Sequence, residues 1–149
     1  MRKSGFTFIE VMIVMIIIGL IAALGIPRIR DAIEKQNVRS ARAAYGTLVA
    51  KARAAAVGRG CRSALFTTSG TNGRAWITAC RLTGTGRDTL GGIDNIASRF
   101  GITVTAGKDS VTFDPRGIAI ERVRTVIHFQ SGSIKDSVVI NSLGKVTRL

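Results

Sequence analysis

The 149-residue chain is 46% hydrophobic but only 5% aromatic, and it carries 22 Lys and Arg against 9 Asp and Glu, a formal charge of +13. This length suits a membrane helix and one domain of about 110–120 residues, and a single run of spanning length excludes a polytopic membrane protein. One histidine and two cysteines exclude a structural zinc site.

The first thirty residues organise the rest. Arg2-Lys3-Ser4-Gly5 lead into Phe6-Thr7-Phe8-Ile9-Glu10 and an apolar run from Val11 to Ile26, closed by Pro27, with Arg28 and Arg30 beyond. As a helix, Phe6 to Ile26 measures about 31 Å, matching a hydrocarbon core of about 30 Å. Its single charge is Glu10. An acid at the centre of a membrane helix costs about 2.5–3.5 kcal/mol and less towards the ends. Glu10 therefore either snorkels to the headgroups or awaits a positive partner in the same membrane.

An ordinary secretory signal is cut after its apolar region, and Ala22-Ala23-Leu24-Gly25 is a poor version of that site. Cutting after Gly5 instead keeps the whole apolar run and places a new amine on Phe6, one helical turn from Glu10. Basic residues stay cytoplasmic by preference, so the Arg2-Lys3 end is expected inside and the remainder outside, in the periplasm of a Gram-negative cell.

The stretch Lys3-Ser4-Gly5, Phe6-Thr7-Phe8-Ile9-Glu10 and the later Pro27 resembles the class III signal of type IV pilins and type II secretion pseudopilins. The resemblance implies that a prepilin peptidase cuts between Gly5 and Phe6 and methylates the Phe6 amine. It also implies that Glu10 pairs with the Phe6 amine of a neighbouring subunit during assembly.

Pro27 is expected to kink the helix rather than end it, because helical periodicity resumes at once. Ile29 and Ile33 lie four apart, and Ala41, Tyr45, Leu48, Ala52 and Ala55 repeat at three and four. Lys35, Arg39, Arg42 and Arg53 gather on another face, and Gly58 and Gly60 mark the stop. Residues 28–60 thus read as an amphipathic continuation of the membrane segment, residues 6–27, in one helix of about fifty residues.

From Cys61 the texture becomes β-rich. Cys61 to Thr68 and Ala75 to Leu82 flank Gly70 and Asn72-Gly73 as a hairpin. If Thr68 opposes Gly73, Cys61 falls opposite Cys80, and a disulfide there would contribute about 3 kcal/mol; a free buried pair is the plainer alternative. Thr83 to Gly92, with four glycines, reads as a loop, and Ile93 to Phe100 as either a helical turn or a strand.

Strands Ile102 to Thr105 and Ser110 to Phe113 flank the turn at 106–109, and Asp114-Pro115-Arg116-Gly117 is a strong turn. Val123 to Phe129, Ser137 to Asn141 and Lys145 to Leu149 complete the strands. The fold class is α+β: a cleaved leader of residues 1–5, a long kinked helix, transmembrane in its first half, and an antiparallel β-domain over 61–149 of one or two sheets.

Val111-Thr112-Phe113-Asp114-Pro115-Arg116-Gly117 and Val138-Val139-Ile140-Asn141-Ser142-Leu143-Gly144-Lys145-Val146 resemble the GspH/FimT branch of minor pilins and pseudopilins. That implies a low-copy subunit at or near a filament tip, in a hetero-oligomer with other pilin subunits. Nothing in the chain reads as an active site, and no cofactor or metal is expected. His128 sits within a strand pattern, the soluble acids form no pair with a nucleophile, and Gly84-Thr85-Gly86 lacks the lysine and helix of a phosphate loop.

Loss of Arg2 and Lys3 with the leader takes the charge from +13 to +11. Such a balance either solvates the surface or attracts polyanions, nucleic acid or anionic headgroups. Three clusters stand out: Lys35, Arg39 and Arg42; Arg116, Arg122 and Arg124; and Lys145 with Arg148. Some FimT-type minor pilins bind DNA through a C-terminal G-R-x-R motif, which makes DNA uptake the alternative function. Here Gly144-Lys145-Val146-Thr147-Arg148 departs from that motif, with lysine first and the second basic residue one position late.

Overall fold

The computed structural model describes residues 7–121 and 124–148, the last by its backbone alone. The chain divides into two units, Met1–Ile33 and Glu34–Leu149. Helix α1, Phe8–Arg59, contributes to both and runs through Pro27 without ending there. In the first unit its side chains are exposed, and an 18-residue window of mean hydropathy 2.8 has none of its residues buried. Among the described residues α1 is the helix long and apolar enough to cross a membrane.

In the second unit α1 buries Val38, Ala41, Tyr45, Val49, Ala52 and Ala56. The spacing of three and four puts them on one stripe, and five small or β-branched residues let the sheets approach the helix closely. Leu48, and Ala55 beside Ala56, fall on the flank of that stripe, so the buried face is rotated slightly from the expected one. The helix ends where the glycines indicated. Gly60 adopts φ +61°, its amide donates to the Val57 carbonyl and the Cys61 amide to that of Ala56. This is the paired closing motif that a left-handed residue permits.

Two four-stranded antiparallel sheets follow. In the first, β1 (Ser63–Thr67) lies between β2 (Ala75–Cys80) and β5 (Ser110–Phe113), and β3 (Arg87–Asp94) forms the edge beside β2. In the second the order is β4 (Thr103–Ala106), β6 (Thr125–Ser131), β7 (Ile134–Ile140) and β8 (Val146–Arg148). Leu65, Ile77, Val111 and Phe113 of one sheet and Val104, Ile127, Phe129 and Ile140 of the other share a single core with the α1 stripe. Every buried side chain among the described residues lies between Val38 and Gly144, so the second unit carries its own core.

The structure corrects some expectations and resolves others. The β1–β2 register pairs Thr67 with Ala75 and Ala64 with Thr78, one residue away from the expected pairing, so Cys61 and Cys80 are not directly opposed. The cause is Gly73, whose amide folds back to the Gly70 carbonyl; a Cβ there would stand 2.9 Å from the Thr68 carbonyl oxygen and the Val104 side chain. Gly73 thus belongs to the turn, and Thr68 pairs with Arg74.

The disulfide Cys61–Cys80 does form, with Cα atoms 6.2 Å apart. It ties the end of α1 to the end of β2 instead of bridging two strands.

The expected loop from Thr83 to Gly92 is strand from Arg87 onward. Gly91 and Gly92, both at positive φ, form a bulge between the pairs Ile77–Leu90 and Trp76–Ile93. Ile93 to Phe100 divides into the end of β3 and the short helix α2 (Ile96–Phe100). Finally, β4 and β5, although neighbours in sequence around a turn, belong to different sheets.

Candidate assembly segment and basic surfaces

Thr7 caps α1: its Oγ1 accepts the Glu10 amide at 3.4 Å, and its carbonyl accepts the Glu10 and Val11 amides. Glu10 therefore holds the third helical position, where a carboxylate interacts favourably with the positive end of the helix, by about 0.3–1 kcal/mol. Its neighbours are exposed and apolar, Phe8 at 81% and Ile9 at 63%. The geometry is an acid in the first turn of a helix whose segment from Phe8 to Ile26 carries no other charge. Gly5 and Phe6, and with them the expected cleavage and the amine partner of Glu10, lie outside the described residues.

The first basic cluster is extended by a residue that sequence reasoning missed. Arg42 donates to the Asp136 carboxylate at 2.8 Å, and that carboxylate is nearly buried. Beside this ion pair, Lys35 and Arg39 of α1 and Lys135 of β7 surround a pocket of about 140 Å³ whose remaining lining is Val38, Ile134 and Asp136 itself. The signal for Lys135 was weak: β7 begins three residues before the stretch that read as strand.

The turn that carries Arg116 and the turn that precedes Lys145 face one cleft, which Arg116 lines. The Asp114 carboxylate accepts the amides of Arg116 and Ile118 at 2.9 Å and pairs with the Arg116 guanidinium at 2.9 Å. The Ile118 amide, followed by Arg116, holds this carboxyl below its usual range against the opposing effect of desolvation. In the other turn, Asn141 Oδ1 accepts the amides of Leu143 at 3.0 Å and Lys145 at 2.8 Å.

These two fixed turns flank a cleft of about 610 Å³, with Arg62 at its edge and Ala119 and Leu143 among its apolar lining. Lys145 and Arg124 are exposed. Arg122 and the side chain of Arg148 lie outside the described residues. His128 is exposed on β6, and no group of three or more potential metal ligands occurs among the described residues.

Residues 1–26 match the family described as the prokaryotic N-terminal methylation motif. The fold matches the type IV minor pilin FimU of Pseudomonas aeruginosa (strain PAO1) in two crystal forms. In the first, the TM-score is 0.59 at 12% identity, covering 78% of this chain and 90% of that one. In the second it is 0.55 at 12% identity, covering 74% and 91%. The fold is pilin-like.

A search of curated protein sequences finds no match. At 12% identity the structural likeness concerns the fold: a long N-terminal helix packed on two antiparallel sheets. Motif and fold together support the minor pilin and pseudopilin family that the sequence resembles. The matched motif opens a helix that is long and apolar enough to cross a membrane.

Proposed function

We propose that this chain is a minor pilin or pseudopilin subunit, processed between Gly5 and Phe6, N-methylated on Phe6 and drawn into a type IV pilus or a type II secretion pseudopilus at or near its tip. The anchor waits in the inner membrane with the second unit on the periplasmic side. Glu10 then pairs with the Phe6 amine of a neighbour, which relieves an isolated acid in lipid and favours docking. The prepilin peptidase and other pilin subunits are its partners, and the second unit selects neighbours or cargo.

One observation carries this reading: a methylation-motif N-terminus continues into an exposed apolar helix that carries a lone acid in its first turn. The DNA-uptake alternative rests on Arg116, Arg122, Arg124, Lys145 and Arg148. Arg116 is neutralised by Asp114, so this set offers phosphate less charge than its sequence promises.

Intact mass and N-terminal sequencing of the mature protein are the test of processing: a start at methylated Phe6 is expected, and cleavage after the apolar run would refute the proposal. Glu10→Val should insert in the membrane at the wild-type level yet be depleted from sheared filaments. Normal incorporation of that variant would refute the docking role of Glu10.

A further inference from the structure

Beside the Arg42–Asp136 ion pair, α1 and β7 converge on a small pocket that the assembly mechanism does not use. Its cations come from two elements: Lys35 and Arg39 from the helix, one turn apart, and Lys135 from the start of β7. All three are exposed, whereas Val38 beneath them is buried and Ile134 partly so. Asp136 also lines this space of about 140 Å³, but its carboxylate is engaged by Arg42, so the three cations leave an excess of positive charge there that favours an entering anion. The Arg42–Asp136 pair, at 2.8 Å, fixes the floor and holds the two elements together.

We infer that this pocket binds the phosphate headgroup of an anionic phospholipid, so that the second unit rests on the bilayer before assembly. The inference relies on the anchor reading above. Lys35 follows Pro27 by eight residues, and Arg28 and Arg30 lie between them, so the chain itself keeps the pocket near the membrane surface.

The charges also run against the usual orientation signal. Arg28, Arg30, Lys35, Arg39 and Arg42 crowd the side of the apolar run that is exported in the proposed topology, where basic residues are ordinarily depleted. A headgroup site gives them a use. A mixed apolar and cationic pocket of this size suits one phosphodiester with its glycerol carbons. It does not suit a duplex, which needs an extended cationic track.

The test uses Glu34–Leu149, which holds its own core, in flotation with phosphatidylglycerol-containing vesicles and with phosphatidylcholine vesicles as the neutral control. Binding to the anionic vesicles alone is expected, with each of Lys35→Gln, Arg39→Gln and Lys135→Gln lowering the partition coefficient about fivefold. Arg74→Gln, an exposed arginine outside the pocket, should leave it unchanged, and circular dichroism melts confirm that each variant is folded.

No binding at low salt overturns the inference. So does an equal loss in Arg74→Gln, which would make binding a matter of net charge. Displacement by duplex DNA at matched phosphate concentration, through the same three residues, would assign the pocket to nucleic acid instead. These outcomes are independent of the mature N-terminus and the Glu10→Val assay, so failure of the lipid site and failure of the assembly role are distinguishable.

Discussion

Tyr45 offers the sharpest test of how the second unit is held together. Its ring is fully buried on α1, 5.7 Å from the ring of Phe129, and its hydroxyl shares a hydrogen bond of 2.9 Å with Thr67 Oγ1 of β1. Thr67 is buried as well. Removing one hydroxyl strands the other in the core, at a cost of about 1–3 kcal/mol, whereas removing both leaves neither unsatisfied. Tyr45→Phe and Thr67→Val should therefore each destabilise the unit by that amount. The double variant should lose much less than the sum of the two.

Burial pushes the Tyr45 hydroxyl up to about 12, partly opposed by the Thr67 hydrogen bond. The folded state thus prefers the protonated form more strongly than the unfolded state, whose tyrosine titrates near 10. The stabilisation is fully present below about pH 10 and is lost as the pH rises through about 12, a loss on the order of 2–3 kcal/mol. Urea unfolding of Glu34–Leu149 and of Tyr45→Phe at a series of pH values isolates this contribution, because other groups titrate alike in both. Additive single variants, or a Tyr45→Phe curve parallel to wild type above pH 10, would refute the reasoning.

Two further outcomes follow from the geometry. The disulfide spans a sequence separation of 19, so reduction, or Cys61→Ser with Cys80→Ser, should lower unfolding stability by about 3 kcal/mol and release the end of α1 from β2, read by urea melts and by proteolysis near Arg59. Gly73→Ala places a methyl against the Thr68 carbonyl and Val104 and should cost about 1–3 kcal/mol, whereas an unchanged midpoint would contradict the turn described for the β1–β2 connection.

Much of the candidate assembly segment was legible from local pattern. The lone Glu10 and the apolar run are contiguous in sequence, and so is the T-x-x-E spacing that places Glu10 in the first turn, although its cap emerged only from the fold. The α1 stripe was legible to within a small rotation, because Leu48 and Val49 compete for the same face and only the sheets decide which is covered. Asp114-Pro115-Arg116-Gly117 was readable because its turn is closed by its own side chains and amides.

The amino-acid sequence by itself determined the long helix, its end at Gly60, most strand positions and the prepilin-type N-terminus, since each depends on periodicity or turn chemistry within a few residues. Only the tertiary structure decided that β4 and β5 part into different sheets, that the glycines of β3 form a bulge and that the hairpin register shifts by one. It alone brought Lys135 to Lys35 and Arg39. Those outcomes depend on which residues, distant in sequence, share one buried core, and strand partners are chosen by the side chains that the core must cover rather than by proximity along the chain.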